Sequence, residues 1–403
     1  MRVARSALAL AGLLLWSSTA AAQTVLTLED VIARARDTAP HVVSARLAVE
    51  EARGRLIGAS RRVTSNPGVE LSVGARDGVG RSTDVQIGLA QQFDPPGGRA
   101  ARMAGATASV DQATAMVDQT IRDLVRDAAA AFQRALHATE RVRLLTTSEA
   151  LAASIFATAD RRFRAGELAV LDVNLARASA AGARAERVAA DAELVGALGD
   201  LRILLGIEGP VTVRGTVGLP APPDAAVLEA AVDQRPELRA IESAIREADA
   251  EVLVGRISAR PAYGFVTRYE REAGDQIVFG GLTMSLPLFA RGQEARAVGL
   301  ARGTRLRAEL DAARLRGRVA LEAALAAYAR RADAVRALET DALPGLDDND
   351  ALLTRSFDVG QIGLPDVLSI RREALAIRLQ YLSLLLEAAL ARIDVDALGA
   401  VQR

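Results

Sequence analysis

Few residues of this chain have the types and spacing that catalysis or metal binding requires. The chain contains no cysteine and only two histidines, His41 and His137, which are far apart. The lack of cysteine excludes disulfides, thiol catalysis and cysteine-ligated metal sites. No Gly-x-Ser-x-Gly motif, phosphate-binding loop or Ser/His/Asp set is present. We therefore predict that the protein is not an enzyme, binds no cofactor and has no resident metal.

The remaining candidates for cation binding are one acidic run and the two histidines. Asp347-Asp348-Asn349-Asp350 is the densest acidic run, but it lacks the glycine and terminal glutamate of an EF-hand loop. A solvated run just after Pro344-Gly345 is the favoured interpretation. His41 is expected at the surface. His137 is a poor metal ligand unless threefold symmetry gathers three copies.

The charge of the chain is balanced, since 50 basic residues, all of them arginine, oppose 50 acidic residues. Nucleic-acid-binding proteins usually carry a basic surplus that neutralises phosphates, so no nucleic-acid partner is expected. Hydrophobic residues make up 50% of the chain and aromatic residues only 3%. This composition favours long packed helices.

The N-terminal segment 1–22 has the pattern of a signal peptide. Arg2 and Arg5 precede an apolar stretch over residues 7–16, and Ala20-Ala21-Ala22 is a small-residue cleavage site. A membrane anchor is the alternative, but the apolar stretch is too short to span a bilayer. Beyond residue 23 we find no run of about 18 uninterrupted apolar residues, so no helix is expected to cross a membrane. The protein is predicted to be exported past the inner membrane.

The chain contains one pattern twice, which predicts a tandem duplication. We expect a signal peptide at 1–22, a first repeat at 23–207, a Pro/Gly-rich linker at 208–224 and a second repeat at 225–403. Several pairs at matching places carry the repeat: Asp37 with Asp233, Pro40 with Pro236, Gly98 with Gly292, Arg102 with Arg296, Phe163 with Phe357, Gly166 with Gly360, Asp172 with Asp366, and Val173 with Val367.

Each half is predicted to contain a helix, a β-hairpin, a very long helix and a return helix. The first helices cover 42–62 and 238–257, and alternating apolar residues predict strands near 69–73, 85–89, 262–270 and 276–289. The alternation over 276–289 leaves its facing open. Long helices follow over 98–163 and 292–357, the second interrupted at Pro344, and return helices cover 171–205 and 366–398. About 66 helical residues extend about 100 Å.

The first long helix carries a coiled-coil seam with a seven-residue repeat. Its two rows are Val110, Val117, Leu124, Ala131, Ala138 and Leu145, and Ile121, Ala128, Ala135 and Val142, broken only by Thr114. The strands are long enough to cross a bilayer as a tilted barrel wall. Four strands cannot close alone, so other copies of the chain must complete the barrel, and three copies would supply twelve strands. The alternative is a periplasmic coiled-coil scaffold or adaptor whose hairpins never enter a membrane.

The turn before each return helix carries a shared motif. It is Phe163-Arg164-Ala165-Gly166-Glu167-Leu168 followed by Asp172-Val173, and Phe357-Asp358-Val359-Gly360-Gln361-Ile362 followed by Asp366-Val367. With this motif in a duplicated architecture, the chain resembles the TolC family of outer-membrane efflux channels over essentially the whole mature length. Ser65-Asn66-Pro67 and the Pro-rich linker are more similar to its heavy-metal (cobalt–zinc–cadmium type) branch than to its lipid-anchored drug-efflux branch.

The resemblance implies a mainly α fold with a small β part. Duplicated long helices form a coiled-coil tunnel, and four strands per chain contribute to a trimeric 12-stranded outer-membrane β-barrel. The protein is then the exit duct of a tripartite efflux or type I secretion system. Its expected partners are two further copies of the chain, a periplasmic adaptor (membrane fusion) protein, an inner-membrane pump of the RND type and outer-membrane lipid. The expected location is the outer membrane with a periplasmic extension.

The resemblance also implies roles for the residues of the two turns, which form the periplasmic tip in the family. Adaptor docking is expected at Phe163, Gly166, Leu168, Phe357, Val359, Gly360 and Ile362; a purely structural turn is the alternative. Asp366 matches a carboxylate ring at the aperture, and its alternative role is to cap the return helix. Ser369 stands where the family has a second acidic ring, which weakens any expected cation filter. Asp172 is the first-half counterpart of Asp366 and is expected to contact the neighbouring helix pair.

Overall fold

The computed structural model of the chain describes residues 24–77, 81–272, 274–358 and 361–399. The predicted signal peptide and the residues 78–80 of the first hairpin turn lie outside these ranges. The elements in chain order are β1 (Thr24–Leu26), α1 (Leu28–Asp37), α2 (Pro40–Ala59), β2 (Gly68–Arg76), β3 (Ser82–Phe93), α3 (Gly98–Arg164), α4 (Val170–Leu205), β4 (Val211–Val213), α5 (Ala225–Ala231), α6 (Pro236–Ile257), β5 (Ala262–Glu272), β6 (Asp275–Ser285), α7 (Gln293–Asp341), α8 (Leu343–Asp358) and α9 (Leu364–Leu398).

The helices, hairpins and return helices lie where the repeat predicts them, except that β6 ends at Ser285 and not at the predicted limit of 289. The two return helices begin at Val170 and Leu364, which are separated by the same offset as the two turn motifs. The second long helix breaks where predicted: α7 ends at Asp341 and α8 starts at Leu343. Pro344 causes this break because its ring clashes with the preceding turn and it has no N–H to donate.

The long helices pack side by side. α3 contacts α2, α4, α6 and α9, and α7 contacts α6 and α9. The predicted seam of α3 is largely confirmed, because Val117, Leu124, Ala131, Ala138 and Leu145 are all buried. Thr114, which interrupts the seam, is exposed, and its hydroxyl donates to the Val110 carbonyl over 2.9 Å. Alanine at many seam positions allows the helices to approach closely.

The four long strands form one antiparallel sheet in the order β2-β3-β5-β6. The register fixes which residues share a face, including on β6, where the sequence left the facing open. One face carries apolar rows such as Leu71, Ile87, Tyr269 and Val278, and the other carries rows such as Glu70, Gly88, Arg268 and Phe279. The sheet therefore has one apolar and one largely polar surface, as a membrane-barrel wall requires.

The sheet and the helices leave two open edges. β2 and α2 lie at one end of their layers, whereas β6 and α7 lie at the other. Apolar side chains remain exposed on the helices at or near both ends: Leu47, Ile57, Val195 and Ile203 on α2 and α4, and Leu315 and Val319 on α7. An unpaired strand edge with apolar helix surfaces beside it is a surface for further copies of the chain.

Two features differ from the sequence expectations. The linker forms β4, which pairs in parallel with β1 and connects the two ends of the first repeat. Among the described residues, α9 has the length and hydropathy of a membrane span, with a mean hydropathy of 1.5 over 18 residues. Apolar side chains that pack on α7 contribute to this value. Leu385 packs on Val335, and Val395 lies in a cluster with Tyr328.

Candidate functional site

The two motif turns share one backbone hydrogen bond. In the first, the Glu167 N–H donates to the Arg162 carbonyl over 2.9 Å, and in the second the Gln361 N–H donates to the Ser356 carbonyl over 2.8 Å. These donors and acceptors occupy corresponding positions of the two repeats. In the first turn, this bond closes the helix C-terminus around a left-handed residue.

Gly166 supplies that left-handed residue in the first turn, with φ of +79°. No atom lies within 4 Å of the place where a Cβ would stand. Glycine is therefore required here by backbone conformation and not by lack of space. Its counterpart Gly360, together with Val359, lies outside the described residues.

A hydrophobic cluster joins the two turns of one chain. Its buried members come from four helices and are Ile155, Ala159, Ala176, Phe357, Leu364, Val367 and Leu368. Phe156, Leu168 and Ile362 are partly buried and pack at its margin. The structure thus brings together Leu168, Phe357 and Ile362, three of the residues predicted from the sequence. We refer to this set as the tip cluster.

The equivalent aromatic residues of the two turns have opposite environments. Phe163 is 41% exposed, whereas Phe357 is 6% exposed within the tip cluster. The next residues also differ: Val170 and Leu171 are exposed, with Leu171 at 75%, while Leu364, the counterpart of Val170, is buried. The first turn therefore presents apolar surface to solvent, whereas Phe357 and Leu364 of the second turn are buried.

Val170 and Leu171 were missed by the sequence analysis. The available signal was their position at the start of a return helix, where apolar residues have no partner along their own helix. The motif comparison favoured residues that recur in both halves, and Leu171 is replaced by Pro365 in the second half.

Arg162 fastens the first turn to the second. Its Nη2 donates to the Phe357 carbonyl over 3.2 Å, and its guanidinium carbon lies 4.9 Å from the centre of the Phe357 ring. The second half has Ser356 at the corresponding position, so the contact has no repeat-related counterpart. A charged hydrogen bond and a cation–π contact thus hold Phe357 in the tip cluster.

The predicted aperture residues lie at the start of the return helices. Asp366 is in the first turn of α9 and is exposed, as is Ser369 one turn later. Asp172 occupies the same position in α4 and is half-buried. A carboxylate at a helix N-terminus is favourable for the helix dipole, so both positions also have a local structural use.

The histidines and acidic side chains do not assemble into a metal site within the described part of the chain. That part contains no group of three or more residues of the usual ligand types. His137 is half-buried beside Arg141, which bridges to Glu193 of α4 over 2.6 Å. Burial, reinforced by the Arg141 charge, lowers the pKa of His137. The side chains of Asp347, Asp348 and Asp350 lie outside the described residues.

Comparison with known proteins identifies relatives over most of the chain. Residues 31–207 match the family model described as "Outer membrane efflux protein". The chain is 26% identical over 380 residues to the cobalt-zinc-cadmium resistance protein CzcC of Cupriavidus metallidurans, covering 92% of this chain and 89% of that protein.

Solved structures share the fold at low sequence identity. A membrane protein from Pseudomonas aeruginosa superposes with a TM-score of 0.79 at 17% identity, over 92% of this chain and 90% of that one. CusC, described with its transmembrane channel formation, superposes with a TM-score of 0.76 at 18% identity, over 92% of each chain.

Proposed function

We propose that the chain exports a divalent heavy-metal cation. It belongs to the TolC family of outer-membrane efflux proteins and serves as an outer-membrane exit duct. The name of the CzcC relative, with its match across 92% of this chain, supports this substrate class. The protein lies in the outer membrane and extends into the periplasm. The alternative of a periplasmic scaffold without a barrel is therefore wrong.

The predicted fold is confirmed: a mainly α chain that contributes four strands to a trimeric 12-stranded outer-membrane barrel. The single observation that carries the duct function is the pair of open edges. The β2 edge of one copy and the β6 edge of the next leave no unpaired strand when three copies close. The apolar sheet face, with Leu71, Ile87 and Val278, then faces lipid, and the face with Glu70 and Arg268 lines the lumen.

The duct works with a periplasmic adaptor and an inner-membrane pump, and we propose an RND-type pump and docking of the adaptor at the tip. The exposed apolar surface formed by Phe163, Val170 and Leu171 supports the first turn as the main contact. Gly166 and Leu168 shape this turn. On the second turn, Val359, Gly360 and Ile362 are proposed as further contacts, while the buried Phe357 supports the turn from inside.

A substitution at Leu171 tests the docking proposal. Leu171→Ser removes exposed apolar surface without touching the tip cluster, so the trimer yield is expected to stay normal while metal resistance of the host falls. Leu171→Met keeps the apolar surface and is expected to retain resistance. Equal resistance of both variants would refute docking through this residue.

Asp366 is proposed to form a ring of three carboxylates at the aperture, with Ser369 as a neutral ring one turn above it. Asp366→Asn is expected to reduce the ratio of cation to anion permeability of purified trimers in planar bilayers. The substitution removes three negative charges, one from each subunit, from the lining of a narrow pore. Asp172→Asn is the matched control, since it makes the same change at the repeat-related position. If the control lowers selectivity as much, Asp366 is not the selective ring.

The substrate proposal is tested by deleting the protein from its host and measuring growth in zinc, cobalt and cadmium. Loss of resistance that the cloned gene restores is the expected result. Unchanged growth in all three metals, with sensitivity to organic compounds instead, would overturn the heavy-metal proposal and leave the duct itself intact.

A further inference from the structure

The segment between β6 and α7 differs sharply from its counterpart in the first half. Residues 94–97 connect β3 to α3 and are held by polar contacts within the chain. The Asp94 carboxylate accepts hydrogen bonds from Thr64 over 2.5 Å and from Arg102 over 2.9 Å. Residues 286–289, Leu286-Pro287-Leu288-Phe289, are mostly apolar. Leu286, Leu288 and Phe289 are all exposed, with Phe289 at 89%. We call residues 286–289 the rim segment.

Local hydrogen bonds satisfy backbone carbonyls of the rim segment. The Leu288 N–H donates to the Leu286 carbonyl over 2.9 Å. Arg291 Nε donates to the Leu288 carbonyl over 3.0 Å, and Gln293 Nε2 donates to the Phe289 carbonyl over 2.7 Å. Backbone carbonyls of the segment are thus bonded by neighbouring residues, while its apolar side chains stay exposed in the chain. Such a segment lowers its free energy only if another apolar phase covers it.

The position of the segment identifies that phase. β6 leads into α7, so the segment lies at the rim where the sheet meets the periplasmic helices. The neighbouring outward positions at this rim are Phe93, Tyr263 and Met284, which lie in one cross-strand row on the apolar face of the sheet. All three are exposed. The rim segment thus continues the lipid-facing surface toward the periplasm, where amphipathic and aromatic side chains favour the bilayer interface.

We propose that residues 286–289 are an interfacial anchor that inserts into the periplasmic leaflet of the outer membrane. Its ligand is the boundary between phospholipid head groups and acyl chains, and the exposed Arg291 stands beside it at the level of the lipid phosphates. Three copies around the trimer set the depth of the barrel in the membrane. The inference rests on the proposed orientation of the sheet, with its apolar face toward lipid.

The sequence offers a direct test, because its only tryptophan is Trp16, within the predicted signal peptide. A Phe289→Trp variant therefore carries one reporter in each mature chain of the trimer. Trimers are reconstituted in vesicles of phosphatidylcholine brominated either near the head group or near the bilayer centre. Phe289→Trp is expected to lose as large a fraction of its emission as Phe265→Trp on the lipid-facing surface, with stronger loss from the shallow bromines. Phe279→Trp, on the lumen face of β6, is the matched control and is expected to lose none.

Each other outcome is decisive. Unquenched, blue-shifted emission from Phe289→Trp beside a quenched Phe265→Trp would show that a neighbouring subunit covers the segment. Unquenched, red-shifted emission would show that water does, and either result overturns the anchor. If Phe265→Trp is itself unquenched, the orientation of the sheet fails instead. Leu288→Trp is a second reporter if Phe289→Trp lowers the trimer yield.

Discussion

Replacing Arg162 by alanine is expected to weaken the contact between the two turns of the tip. The change removes the hydrogen bond from Nη2 to the Phe357 carbonyl at 3.2 Å and the cation–π contact at 4.9 Å. A hydrogen bond from a charged donor contributes about 1.5–3 kcal/mol, and an exposed cation–π contact about 0.5–1 kcal/mol. Arg162 is half-buried, so the lower ends apply and the loss is about 2 kcal/mol, or about 30-fold in an equilibrium constant.

The assay is the open-to-closed ratio of purified trimers in planar bilayers. We infer that opening of the proposed aperture moves the α8–α9 end, with Asp366, away from the end of α3 and so breaks the Arg162 contacts with Phe357. Arg162→Ala is therefore expected to raise the ratio by about 30-fold for each subunit that opens. Arg162→Lys keeps the charge but not the planar guanidinium, so an intermediate increase is expected.

Arg161→Ala is the matched control, because Arg161 is exposed and its side chain donates within its own helix, to Thr158 over 3.0 Å. It makes the same charge change one residue away. An equal effect of Arg161→Ala, or an unchanged ratio for Arg162→Ala, would refute the argument that this contact holds the tip closed.

Three further predictions concern stability. Gly317→Ala is expected to lower the unfolding midpoint, because the new methyl overlaps the guanidinium of Arg235, which is 5% exposed and donates hydrogen bonds to two carbonyls. Losing these hydrogen bonds costs about 2 kcal/mol, more than the gain in helix propensity from glycine to alanine. An unchanged midpoint would contradict this. Burial and a 2.8 Å hydrogen bond to Glu339 raise the pKa of Tyr381 to about 12. The free energy of unfolding is therefore expected to fall as pH rises from about 10 toward 12. In a titration followed by tyrosinate absorbance, Tyr381→Phe should remove the ionisation step at the highest pH. The pKa of His137 is lowered, so its contribution to stability is present above the ordinary value of 6.5 and is lost as pH falls below it. His137→Gln should reduce the fall of the unfolding midpoint as pH drops below 6.5, and an unchanged pH dependence would count against the buried neutral imidazole.

Local sequence was sufficient to predict most of the elements. The helices α3, α4, α6 and α9 begin and end within a few residues of the predicted limits. Such limits follow from side-chain period and from proline and glycine, which act on their immediate neighbours. The pair of β1 with β4 was not predicted, because two very short strands at opposite ends of the first repeat carry no local pattern of their own.

The site was predicted less completely than the fold. The motif indicated where the two turns lie, and Leu168, Phe357 and Ile362 do meet there. It also treated Phe163 and Phe357 as equivalent, and it passed over Leu171. The exposure of a side chain depends on which residues of neighbouring helices pack against it. A comparison of two motifs in the sequence does not contain that information.

The sequence by itself determined the duplication, the constant offset between the two turn motifs, the long helices and the hairpin in each half, because each rests on periodicity or on residues close along the chain. Only the tertiary structure decided which turn exposes its apolar residues and which face of β6 is apolar. Both depend on pairing across the chain: Arg162 meets Phe357 from the other half, and Val278 shares a face with Leu71 only through the register of two intervening strands. Equal motifs became unequal sites because the two halves pack against different neighbours.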